Sequence, residues 1–143
     1  MPLQLSGVRW ARFNVACRGH FVSNFEDLGG LFTWNEAQTA CPPGWRLPTE
    51  EESDRLSNAH SVWTTRNGVN GRLFGTAPHQ VFLPAAGGHF TGARFDAGTG
   101  GHYWVCTPDA THGALRFSFG SSGTGIGGGS TYTNAFSVRC VRK

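Results

Sequence analysis

The sequence predicts a single α+β domain in which two short helices come first and small antiparallel strands with long loops follow. Three observations carry that expectation. Two helix-start signatures, Thr33-Trp34-Asn35-Glu36 and Thr49-Glu50-Glu51-Glu52, stand close together in the first half of the chain. Helical periodicity is absent from Ser61 onward, where short runs of large apolar residues are separated by stretches rich in the chain's 21 glycines. The length of 143 residues suits one core, which at this size buries roughly two thirds of the unfolded surface. Charged residues make up 15% and aromatic residues 13%, so ring burial rather than long solvated helices must stabilise the domain.

Taken in order, residues 8–16 alternate in part between large apolar and polar side chains, which suits an early strand packed through Trp10, with Phe13 or Val15 also inward. Thr33 and Glu36 form a capping box: the hydroxyl accepts from the Glu36 amide, and the carboxylate accepts from the Thr33 amide. A helix over about 34–40 follows, ended by Cys41-Pro42-Pro43-Gly44 because proline cannot continue the ladder. Thr49 and Glu52 repeat the box, and Glu50, Glu51 and Glu52 favour the positive end of a helix that runs to about 59. Between the helices, Trp45 and Leu47 are too apolar for a free loop and should wedge into the core. Val81-Phe82-Leu83 and Tyr103-Trp104 read as short buried strands. In Leu115-Arg116-Phe117-Ser118-Phe119 the odd positions face inward and Arg116 and Ser118 outward. In the last strand Phe136, Val138 and Cys140 share one face, and Ser137, Arg139 and Val141 the other.

The net charge of +3 comes from eleven arginines that are scattered along the sequence, whereas nucleic-acid binding needs a clustered stripe with stacking aromatics. No nucleic-acid partner is expected. No run approaches the ~20 apolar residues of a membrane span, so membrane insertion is not expected, and no signal peptide is visible in this chain. Cys17, Cys41, Cys106 and Cys140 allow three pairings if all are bridged, and no metal-type spacing occurs. A Cys41–Cys140 bridge would tie an early helix to the final strand. Four buried thiols in a protein assembled inside a cell is the other state the sequence permits.

The segment 105–134 has an unusual composition. Of its thirty residues sixteen are Gly, Ser or Thr, and none is Lys, Glu, Gln, Met or Trp, although the preceding 104 residues hold five Glu, three Gln, one Met and all five Trp. Those five types are the ones lost when an Asn codon ending in C has both adenines randomised, since each needs a purine in the third position. A Gly/Ser/Thr-rich surface loop would also avoid Trp and Met, and composition alone favours that simpler reading. The flanking motifs decide otherwise.

Five ordered blocks carry a resemblance: 32–37 (FTWNEA), 41–49 (CPPGWRLPT), 81–87 (VFLPAAG), 101–104 (GHYW) and 136–141 (FSVRCV). Together they resemble the Fibrobacter succinogenes major paralogous domain and its relatives, the variable proteins of diversity-generating retroelements, over about residues 8–143. The resemblance implies a C-type lectin-like fold of the kind shared with formylglycine-generating enzymes. It also implies a 105–134 variable region rewritten by a retroelement reverse transcriptase that miscopies template adenines. Relatives carry Ser-Ser-Thr where this chain has Val105-Cys106-Thr107, which marks Val105 as diversified and makes Cys106 a poor disulfide partner.

Such a division of labour has a physical basis. A large-to-small change in the core costs about 2 to 5 kcal/mol, whereas exposed positions vary within about ±0.5 kcal/mol. The expected ligand-binding residues are Val105, Asp109, Thr111, His112, Arg116, Ser118, Ser121, Thr124, Ile126, Ser130, Tyr132 and Asn134. Arg116 and Tyr132 are the expected anchors, because Arg and Tyr dominate binding hot spots.

Several other signals point to chemistry and are better explained structurally. Gly123-Thr124-Gly125-Ile126-Gly127-Gly128 satisfies the dinucleotide pattern but lacks a following helix. The six histidines show no metal spacing and read as surface or loop residues. The three glutamates belong to a helix start, and the calcium motifs of sugar-binding C-type lectins are missing. Cys106 in a mutable position is a poor nucleophile candidate. The expectation is therefore a cofactor-free, non-enzymatic binding domain, a monomer with an oligomer left open, on a virion or cell surface, whose hypervariable face meets a protein or glycan on a target cell. The alternative is an undiversified paralogous domain that binds polysaccharide.

Overall fold

A computed structural model describes residues 3–90, 93–109, 113–130 and 133–143. The chain runs β1 (Leu3–Leu5), β2 (Val8–Trp10), β3 (Val15–Cys17), β4 (His20–Phe21), α1 (Trp34–Ala37), β5 (Trp45–Arg46) and α2 (Glu50–Asn58). It continues through β6 (Ser61–Arg66), β7 (Val69–Thr76), β8 (His79–Pro84), β9 (Gly88–Phe90), β10 (Ala93–Phe95), β11 (Gly100–Asp109), β12 (Gly113–Gly120), β13 (Thr124–Ser130) and β14 (Val141–Arg142). The named strands pair antiparallel in three sheets, ordered β1-β2-β14-β5, β6-β7-β8 and β11-β12-β13, with β3-β4 and β10-β9 as two-stranded ribbons. Two helices among several small sheets make this an α+β fold.

Both capping boxes form. The Thr33 amide donates to Glu36 Oε1 at 2.8 Å and the Thr49 amide to Glu52 Oε1 at 2.9 Å, while each threonine hydroxyl accepts in return. Helix α1 is shorter than expected. The amides of Gln38, Thr39 and Ala40 donate to carbonyls three residues back, so the last turn tightens before the prolines. Helix α2 is held at its start by Arg46, whose guanidinium donates to both Glu52 oxygens at 2.8 and 2.9 Å and so ties the helix to β5. That contact holds the Glu52 carboxyl below its usual range.

Two elements depart from the sequence expectation. The stretch after Ser61 is a regular β6–β7 hairpin turning on Asn67 and Gly68, both at positive φ (49° and 81°), the geometry a two-residue primed turn requires. The glycine-rich segment 124–130 is strand β13, paired with β12, and not a loop.

The sheet β11-β12-β13 divides the core. On one side Tyr103, Val105, Leu115, Phe117 and Phe119 join Leu5, Val8, Trp10, Leu56, Phe74, Val81, Leu83 and Val141. On the other, Trp104 and Ala114 pack with Val15, Phe32, Ala37, Leu47, Phe136, Val138 and Cys140. The chain after Asn134 runs beside β11, where the Trp104 amide donates to the Ser137 carbonyl and the Ser137 amide to the His102 carbonyl. Cys41 and Cys140 form a disulfide that closes the stretch from α1 to the last strand, with Cys17 and Cys106 outside it.

At the centre lies Arg139, 1% exposed. Its Nε donates to Asn14 Oδ1 (2.8 Å), Nη1 to the Ala11 carbonyl (3.2 Å) and Nη2 to the Phe82 carbonyl (2.9 Å). Asn14 Nδ2 in turn donates to Tyr103 Oη (3.0 Å) and to the Leu28 carbonyl, and the tyrosine hydroxyl donates to the Pro84 carbonyl (2.8 Å). Burial pushes Arg139 down to about 10 and Tyr103 up to about 12, so the first stays charged and the second neutral near pH 7. Arg139→Met strands three buried acceptors and should cost about 3 to 5 kcal/mol in urea denaturation. Arg139→Lys should recover only part of that, since one ammonium cannot span the three acceptors.

Candidate functional site

Strand β12 is the central strand of its sheet, so the alternation of its side chains decides what the domain shows to solvent. Leu115, Phe117 and Phe119 are buried, and Arg116 and Ser118 are half-buried on the opposite face, as the sequence pattern predicts. Register places Arg116 between Trp104 and Gly127, and Ser118 between His102 and Gly125. A methyl group added at Gly125 or Gly127 would meet nothing within 4 Å. Two rows of the sheet therefore run from packed aromatics on β11, through Arg116 and Ser118, onto an open strip of bare backbone.

The inner end of this face is a hydrogen-bonded series. His102 Nε2 lies 3.0 Å from Asp96 Oδ2, and His102 Nδ1 lies 2.9 Å from Ser118 Oγ. The imidazole is buried and held between Phe95 and Phe136, with ring centroids at 5.0 and 5.6 Å. Asp96 reaches the ring from a residue at φ 58°, a left-handed conformation that Asp tolerates better than most residues. Burial lowers the His102 pKa first, Asp96 opposes this through its hydrogen bond, and the Arg116 charge lowers it further. The ring is thus neutral at pH 7. With Asp96 as acceptor at Nε2, the proton sits on Nε2, and Nδ1 must accept from the Ser118 hydroxyl. Ser118 then offers a contacting group its oxygen lone pairs.

Beside it, the Arg116 guanidinium carbon stands 5.2 Å above the Phe136 ring and 5.9 Å from that of Phe90, which is 44% exposed. Burial moves Arg116 below its ordinary range, partly offset by Asp96. The face so assembled combines a cation, an oxygen acceptor, an exposed ring and an open floor.

The remaining expected contact residues do not all join it. Val105 is 0% exposed and Asn134 1%, so both are core residues rather than contacts. Val105 falls on the same side as Tyr103 and Leu115, which the period of two requires. Thr124 and Ile126 turn to the opposite face: Ile126 packs against the core beside Phe117, and Thr124 Oγ1 lies 2.8 Å from Ser57 Oγ of α2. Ser121 is exposed in the β12–β13 turn. Thr111, His112 and Tyr132 lie outside the described residues, as do the side chains of Asp109 and Ser130. Sequence reasoning missed His102 and Asp96, having read the histidines as surface or loop residues; the signal was the parity of His102, which shares a face with Trp104. Comparisons with family models, with curated proteins and with solved structures found no match.

A histidine whose folded pKa is depressed binds protons more readily when unfolded, so stability is full above the unfolded value near 6.5 and falls as pH drops through it. The loss stops once pH is below the folded value. Thermal melts between pH 8 and 5 should show this step, and His102→Gln should remove it while lowering the melting temperature at pH 8.

Proposed function

We propose that the chain is a binding domain of the C-type lectin-like kind, whose contact surface is the open face of β11-β12-β13 and whose residues 105–134 are diversified by a retroelement reverse transcriptase. The observation that carries the reading is the alternation along β12. Buried Leu115, Phe117 and Phe119 hold the strand, and Arg116 and Ser118 between them are half-exposed beside an unfilled glycine strip. The absence from the same segment of Lys, Glu, Gln, Met and Trp, whose codons all need a third-position purine, supports it independently. Arg116, Ser118 and Ser121 are its contact residues, together with Asp109, Thr111, His112, Ser130 and Tyr132. Val105, Thr124, Ile126 and Asn134 fall out because packing holds them.

We read the site as binding rather than catalytic, although Asp96, His102 and Ser118 are the residue types of an acyl-transfer relay. Ser118 pairs with His102 on one side and Gly125 on the other, so its own amide is committed to a ladder and does not serve an oxyanion beside its hydroxyl. Among the described residues no helix is long and apolar enough to cross a membrane. The reading is of a domain displayed on a virion or cell, meeting a protein or glycan on its target.

Two measurements test this. The DNA beside the gene should hold a near-copy of the segment for residues 101–140 that differs at adenines; a neighbourhood with neither that copy nor a reverse transcriptase removes the diversification. A display library randomised at 116, 118 and 121 should stay folded and yield binders, with Ser121 substitutions within about 0.5 kcal/mol and Ser118 substitutions costing about 1 to 3 kcal/mol because buried His102 Nδ1 loses its donor. Phe117→Ala should cost about 3 to 5 kcal/mol. If every library member unfolds as Phe117→Ala does, this face is structural.

A further inference from the structure

A second concave surface lies beside the disulfide; it shares none of the contact residues named above, and Cys106 is its one lining residue from the 105–134 segment. It is a cleft of about 680 Å³, within the size range of small-ligand sites. Arg18, Arg46 and Lys143 line it with Trp45, Thr39 and Gln38, and no Asp or Glu is among its lining residues. A fourth cation stands at its edge: the Arg142 guanidinium lies 5.2 Å above the Trp45 ring. The sequence spreads these groups over 125 positions, from Arg18 to Lys143. The fold gathers them because β5 pairs with β14, bringing Trp45 and Arg46 against Val141 and Arg142, while the Gly19 amide binds the Ala40 carbonyl and holds Arg18 alongside.

The glutamates that cap the two adjacent helices are already engaged in hydrogen bonds. Glu52 accepts two bonds from Arg46 and one from the Thr49 amide, and Glu36 serves as the acceptor of its helix cap. The Arg46 charge is thus largely offset, and the cleft's positive field comes chiefly from Arg18, Arg142 and Lys143, all exposed. Concave walls focus such a field on an anion. Trp45 is half-buried, in a T-shaped contact with Phe21 at 5.4 Å and covered on one face by the Arg142 guanidinium, so a ligand can stack only on the other face.

A single ring at the floor and cations at the rim suit a short ligand with a flat apolar face and anionic substituents. They do not suit a duplex, which needs a long stripe of charge. We propose that this cleft binds an acidic oligosaccharide, with Trp45 beneath one sugar ring and Arg18 and Lys143 holding its sulfate or carboxylate groups. The site is independent of the diversified face, and of whether that face binds anything.

Trp45 supplies the readout. Tryptophan fluorescence and calorimetry on the intact chain would use three tetrasaccharides: a sulfated one, a non-sulfated uronate and a neutral one. At least one acidic sugar should bind and the neutral one should not; which acidic sugar binds identifies the anionic group. Arg18→Ser/Lys143→Ser should weaken binding at least tenfold, while Arg9→Ser/Arg12→Ser, which removes equal charge elsewhere on the surface, should leave it within twofold. Circular dichroism should show both variants folded. Absence of binding to either acidic sugar overturns the proposal. So does equal weakening by both variant pairs, or equal affinity for a single-stranded oligonucleotide of matched charge, since either would reduce the effect to net charge.

Discussion

The fold depends on one buried cation. Arg139 belongs to the segment that leads into β14 after β13, and its guanidinium donates to acceptors on the β2–β3 connection and on β8. Through Asn14 the same network reaches Tyr103 on β11 and Pro84 at the end of β8. Pieces of all three sheets are therefore referenced to a single side chain. A guanidinium suits this position because it presents donors in fixed, divergent directions. Carbonyl and amide oxygens solvate it, and its pKa, although lowered, leaves it charged at neutral pH. An apolar residue of similar volume would fill the space and leave the acceptors stranded.

Small sheets need such a reference more than large ones do. The β1-β2-β14-β5 sheet is built from strands of two or three residues, too short to set their own register firmly. The disulfide from Cys41 to Cys140 pins the same region from outside, next to the residue that Arg139 occupies. In the chain-entropy picture a loop of this length contributes up to about 4.7 kcal/mol by restricting the unfolded state. Covalent and polar constraints thus meet at adjacent residues. Between them they position Phe136, which supports Trp104 at 4.6 Å and lies beneath Arg116 at 5.2 Å.

What could be read from the sequence was whatever is local. The two capping boxes and the alternation of 115–119 follow from side-chain chemistry within four residues and are present as expected, whereas α1 ends at Ala37, short of the prolines expected to stop it. The Asn67-Gly68 turn was equally local and was passed over, because the flanking residues mix Arg, Thr and Asn with the apolar ones and so blur the period of two. Strand β13 was hidden for a different reason. Glycine has low intrinsic strand preference, and Thr124–Ser130 becomes a strand only because β12 supplies the ladder. The assignment of Val105, Thr124 and Ile126 to one contact face failed for want of register: without it, neighbouring strands cannot be phased, and Ile126 falls beside Phe117 instead of beside Arg116. The cationic cleft was illegible in principle, since scattered arginines acquire a neighbourhood only when β5 meets β14.

The glycine strip explains how one face can be rewritten without repacking. At Gly125 and Gly127 an added side chain meets nothing, so substitutions there enlarge the surface and leave the support untouched. On β11 the same face carries His102 and Trp104, both buried, while Gly101 belongs to the core face, where a Cβ would run into the Phe119 ring. Tolerance therefore increases across the sheet, from β11, where backbone and rings are in contact, to β13, where nothing opposes a new group. Arg116 and Ser118 stand midway, each resting on a ring or a histidine below and open above. A side chain at either position inherits a defined root and a free tip, which is the condition under which changing identity alters what is contacted rather than whether the domain folds.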